Sequence, residues 1–128
     1  MVRKNANNSS DYSLYNKMLD YTNYVKTYVI PAIPSNNRDI RIHFLDEIYE
    51  LTKNMFYATY TKGNIRSKYI VDIQVNISLL DMMTEELRKL KVISKKHIDA
   101  SVSKLSSIKN IIYAWKFNEE VKKNQTNI

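Results

Sequence analysis

One glycine and two prolines are all that punctuate 128 residues. A β-rich domain reverses direction every ~8–12 residues, and its turns draw on glycine, proline, asparagine and aspartate. Pro31, Pro34 and Gly63 allow few such reversals, so long helices with short connections fit better. The length suits one domain with a core of its own. Cysteine is absent, which excludes a disulfide framework, a cysteine-ligated zinc site and a thiol nucleophile.

The stretch "YIVDIQVNISLL", Tyr69 to Leu80, runs against that expectation. Val71, Ile73, Val75, Ile77 and Leu79 alternate with Asp72, Gln74, Asn76 and Ser78, the pattern of a half-buried strand. The alternation then fails, because Leu80 follows Leu79 and Met83 follows Met82. A helical template accounts for the whole stretch, with Tyr69, Ile73, Ile77, Leu80, Met83, Leu87 and Leu90 on one face. A strand of that length would be abnormal, so the segment is expected to be helical.

Three other segments share the 3.6-residue period. From about Ser13 to Ile30, Leu14, Met18, Tyr21, Val25 and Tyr28 form a stripe that Pro31 and Pro34 end. From Arg38 to Tyr60 the inner stripe is Ile40, Phe44, Ile48, Leu51, Met55 and Ala58. "SNN", Ser35 to Asn37, offers N-caps for it, and Gly63 a left-handed C-cap. From Ser94, a further N-cap, to about Phe117, the stripe is Ile98, Val102, Leu105, Ile108, Ile112 and Trp115. The expected fold is all-α, an antiparallel up-down-up-down four-helix bundle over residues 13–117. Flexible polar tails are expected at 1–12 and 118–128. Apolar runs fall well short of the ~20 residues of a membrane span, and no signal peptide is visible, so a soluble cytoplasmic protein is expected.

The third helix carries more apolar surface than one core needs. Val71, Val75, Leu79 and Met82 make a second stripe, with Asn76 inside the combined arc. One stripe suffices for a monomeric bundle; a second suggests burial against another copy, with Asn76 fixing register. A ring-like homo-oligomer is the expectation, against the plainer one of a core widened by large tyrosines.

Lysine and arginine number 20 against 13 acids, a formal charge of +7, which favours nucleic acid first and an acidic protein surface second. In an up-down bundle the first and third connections share an end. That end gathers Arg38 and Arg41, then Arg88, Lys89, Lys91, Lys95 and Lys96 from "RKLKVISKK", as candidate nucleic-acid contacts. Lys95 and Lys96 oppose the dipole of the helix they begin, a cost that phosphate binding would explain. Lys62, Arg66 and Lys68 cluster at the other end, with Arg3, Lys4, Lys122 and Lys123 in the tails. His43 with Asp46, Glu47 and Glu50 lacks a second histidine at ligand spacing and reads as a solvated helix face. His97 reads as a surface residue, and no phosphate loop or nucleophile elbow is present. No enzyme activity, cofactor or metal is expected.

The order of features resembles a known group of four-helix bundles. The group contains the accessory variability determinant of diversity-generating retroelements and proteins encoded in intervening sequences of bacterial large ribosomal RNA genes. The likeness covers about Leu14 to Lys116. It rests on "IPSNNRDIRIHFLDEIYEL", "LLDMMTEELRKLKVIS" and "SSIKNIIYAWK". In the family a helix ending "L" or "LGFIS" commonly precedes a fourth helix closing near "GW"; here Ala114 precedes Trp115. The resemblance implies a basic homopentamer, not itself an enzyme, that binds the element's reverse transcriptase and its RNA or DNA template during mutagenic copying. For the intervening-sequence branch it implies only an interaction scaffold.

Overall fold

The computed structural model describes residues 9–126. It is a four-helix bundle: α1 (Ser9–Tyr24), α2 (Arg38–Thr59), α3 (Gly63–Leu90) and α4 (Lys95–Thr126), with no strand among the described residues. "YIVDIQVNISLL" lies wholly inside α3. Its alternation is two stripes overlaid: Ile73 and Ile77 are buried, while Val71, Val75 and Leu79 are exposed.

One core draws on all four helices. The expected stripes of α2 and α4 fill it, with Ile40 and Val102 half-buried at its edge. In α3 the core line is rotated slightly, taking Ile70 and Thr84 fully inside and leaving Tyr69 and Met83 half-buried and Leu90 exposed. The buried hydroxyls are satisfied locally: Thr84 donates to the Leu80 carbonyl and Ser101 to that of Ile98. Tyr21 is the exception: its buried hydroxyl has no hydrogen-bond partner among the described residues. Burial first, then the nearby Asp81 charge, pushes its pKa up, which keeps the ring neutral. Packing is extensive between α2 and α3, α3 and α4, and α1 and α4, and sparser between α1 and α2.

Pro31 does not simply stop the first helix. The chain passes through a π-helical turn, Val25–Val29, and a 3-10 turn, Ile30–Ala32, that holds Pro31. The Ile30 N–H bonds back to the Val25 carbonyl, one residue farther than in an α-helix. That wide turn shifts the register. Val29 and Ile33 take the core positions, and Tyr28, expected inside, is turned outward and exposed.

Other boundaries also depart from expectation. Gly63 is left-handed, but it opens α3 instead of capping α2, whose last turn closes on Tyr60. Asn37 precedes α2 without a side-chain cap. Ser94 does cap α4: its hydroxyl oxygen accepts from the His97 N–H at 3.3 Å. Residues 9–12 of the expected N-terminal tail are helical, and residues 1–8 lie outside the described residues. From 118 the expected C-terminal tail is helical as far as Thr126, because Glu119 is anchored in the bundle by Arg66.

Lys91 ends α3 with φ +57°, the only positive φ at a non-glycine among the described residues. An L-residue there costs roughly 1–2 kcal/mol that glycine does not incur. Lys91→Gly is therefore expected to stabilise the fold by about 0.5–1 kcal/mol, read as a higher urea midpoint at unchanged slope. A lower midpoint would refute the strain.

Candidate nucleic-acid interface

The first and third connections meet at one end. Tyr28, just before Pro31, stacks on His97, just after Ser94, with ring centroids 4.8 Å apart. The basic residues assigned to this end divide into two sets.

Three of them are engaged. Arg88 donates to Asp99 at 3.1 Å and to Glu85 at 3.2 Å. Lys95 pairs with the other oxygen of Asp99, also at 3.1 Å. This i,i+4 bridge gives Lys95 a local reason to begin the helix, so its dipole cost no longer points to phosphate. Lys95 first, and Arg88 with it, hold the Asp99 carboxyl below its usual range, so a fixed negative charge sits within the basic end. Arg41 is the third. Its guanidinium donates to the Ile33 carbonyl and braces the connection behind Pro31, while its Nε is buried without a partner among the described residues. Arg41 is thus a structural residue at this end, not a free surface cation.

The second set is Arg38, Lys89, Lys91 and Lys96. All four are exposed, and none has a carboxylate partner among the described residues. Lys89 and Lys91 close α3, while Arg38 and Lys96 lie in the first turns of α2 and α4. The helix N-termini add partial positive charge to these side chains.

The expected interface stripe also divides. Val71, Val75, Leu79 and Met82 are 52%, 53%, 37% and 57% exposed on the back of α3. Asn76 is not with them. It is buried, accepts from the Asn54 amide at 2.9 Å and donates to Glu47. Asn76 therefore locks α2 to α3 within one chain, because a buried amide must find partners for both its ends. Its polar signal in an apolar arc was legible; its partner was not. A second exposed apolar patch lies along the sparse α1–α2 seam: Leu19, Ile42, Tyr49 and Phe56.

Arg66, grouped by charge with Lys62 and Lys68, does something else. Its guanidinium lies 4.3 Å over the Trp115 ring, bonds to Glu119 at 3.2 Å and donates to the Ala58 carbonyl at 2.7 Å. It is an internal clamp joining α2, α3 and α4. Arg3 and Lys4 lie outside the described residues.

Among the described residues no group of His, Cys, Asp and Glu is placed to hold a metal ion, and no helix is long and apolar enough to cross a membrane. No family model, no curated protein and no solved structure matches the chain.

Proposed function

We propose that this chain is a basic, non-enzymatic accessory protein of a diversity-generating retroelement. In the cytoplasm it binds the element's reverse transcriptase and its RNA or DNA template, and it supports mutagenic cDNA synthesis. The observation that carries this is the basic end, where Arg38, Lys89, Lys91 and Lys96 stand exposed with no carboxylate partner among the described residues. Lys91 also supports the resemblance. In "LKVIS" it occupies the place of glycine in the family's "LGFIS", and its backbone is left-handed, as a glycine position would be.

The helices run up, down, up and down in this reading. Cross-helix pairs support it: Asp81 with Lys109, Arg88 with Asp99, Asp20 with Lys104, and Asn54 with Asn76. The two exposed apolar patches support assembly. They lie on different faces, and two unlike patches that dock on each other make a head-to-tail contact, the kind that builds a ring when its rotation closes. Five subunits are taken from the resemblance.

Single-stranded RNA should bind in a filter assay, with affinity falling steeply as salt rises. The alternative is an oligomeric scaffold of the ribosomal-RNA intervening-sequence type, with no direct role in reverse transcription. Asp99 favours it, since it neutralises part of the basic end. That alternative predicts no RNA binding at any salt.

Assembly has its own test. Val75→Glu and Tyr49→Glu should each reduce the wild-type oligomer to monomer in sedimentation. Mixed together, the two variants should form dimers, because each retains one intact half of the contact. If either variant keeps the wild-type mass, the head-to-tail assignment falls.

A further inference from the structure

Three rings gather at the end where the first and third connections meet. Tyr28 stacks on His97 at 4.8 Å and an interplanar angle of 30°. Tyr24 lies 4.8 Å from Tyr28 and meets His97 edge-on at 6.1 Å. Two backbone features build this cluster. The π-helical turn Val25–Val29 gives the core position to Val29 and swings Tyr28 outward. The Ser94 cap fixes the turn that carries His97. Such π turns recur where function needs a side chain out of register.

Tyr28 stays 46% exposed although the His97 and Tyr24 rings both lie 4.8 Å from it, so much of its ring surface remains open to solvent. Lys96 adjoins His97 in sequence and has no carboxylate partner among the described residues, while the Lys104 ammonium, 5.2 Å from the Tyr24 centroid, is already paired with Asp20 at 2.9 Å. A flat aromatic face beside cations suits an unpaired nucleobase, which stacks while its phosphates meet the positive charge. A duplex keeps its bases stacked on one another and offers no such face.

We propose that Tyr28, backed by His97 and Tyr24, seats one unpaired base of single-stranded RNA or DNA, with Lys96 at the neighbouring phosphate. This rests on the nucleic-acid function proposed above and adds that the ligand is single-stranded.

The probe is a fluorescein-labelled 12-nucleotide RNA, followed by anisotropy at several salt concentrations. A 12-base-pair duplex of the same strand and its complement, with no loop or overhang, serves for comparison. Tyr28→Ala should weaken single-strand binding about 5- to 100-fold. It should leave the salt slope and the duplex affinity unchanged, since no phosphate contact is lost. Tyr28→Trp should bind at least as tightly as wild type, and its added tryptophan fluorescence should be quenched by the RNA. Equal binding by wild type and Tyr28→Ala, with no quenching in Tyr28→Trp, would overturn the stacking seat and leave the nucleic-acid function standing. Absence of all RNA binding by the wild-type chain would overturn both.

Discussion

Arg66→Ala should lower stability by about 2–4 kcal/mol. The residue is 18% exposed and its partner Glu119 12% exposed, so the pair lies mostly out of water. Truncation leaves the Glu119 carboxylate with only the more distant Lys122 ammonium at 3.9 Å, the Ala58 carbonyl without its donor and the Trp115 ring uncovered. Breaking a buried pair costs about 3–5 kcal/mol, and the remaining solvent contact of this one lowers the figure. The lost cation–π contact adds about 1 kcal/mol. Native domains have only ~5–15 kcal/mol in all, so the melting temperature should fall by roughly 10 °C at fixed protein concentration. Arg66→Lys should recover only part of this, because an ammonium cannot both pair with Glu119 and lie flat on the indole. Two further variants separate a clamp from a mere contact. In the double variant Arg66→Ala/Glu119→Ala the loss should be smaller than the sum of the single ones. Arg66→Met with Glu119→Leu should come close to wild type, since a paired apolar replacement leaves no stranded charge. Strict additivity would show that the two side chains act independently.

Most of the fold is written in spacing, because burial selects apolar residues at every third and fourth place whatever their neighbours do. Phe44, Ile48, Leu51, Met55 and Ala58 in α2, and Ile98, Leu105, Ile108, Ile112 and Trp115 in α4, are buried as their period requires. Periodicity fails where the backbone itself changes period. Tyr28 sits three residues after Val25 and so belongs to the α-helical stripe, yet the π turn hands its place to Val29. Nothing in residue type distinguishes a four-residue from a five-residue turn before a proline. The clamp escaped for another reason. Arg66 lies on the line Arg66–Ile70–Ile73–Ile77, and Glu119 extends Ile108–Ile112–Trp115. Each is a charged residue at the end of a core stripe, and reading by charge alone assigns Arg66 to the surface. Following both stripes to their ends would have paired them. The basic end was legible as a group of cations, but not which of them are free. Asp99, one turn after Lys95, was the visible signal that Lys95 had a partner.

That distinction decides the second large effect. Arg38, Lys89, Lys91 and Lys96, all changed to glutamate, should reduce single-stranded RNA affinity by at least ~100-fold and flatten its salt dependence. Each phosphate contact contributes about 0.7 to the logarithmic slope for single strands, so the loss of four lowers it by about 3. In an oligomer the same loss recurs in every subunit and is amplified by multivalency. The fold should survive, because these side chains are exposed and hold no ion pair among the described residues. Placing glutamates in the first turns of α2 and α4 should add a little stability, while Lys89→Glu at the end of α3 removes about as much. Arg41 is kept out of the set, since its guanidinium holds the Ile33 carbonyl and its loss would loosen the connection that carries the site. Lys95 is kept out because its charge is already answered by Asp99. Asp99→Asn should act in the opposite direction. Removing that carboxylate frees Lys95 and leaves Arg88 held by Glu85 alone, and RNA affinity should rise several-fold with a steeper salt slope. A quadruple variant that binds RNA like the wild type would show that the basic end does not touch nucleic acid. A weaker Asp99→Asn would show instead that Arg88 and Lys95 must be held in place for any contact to form.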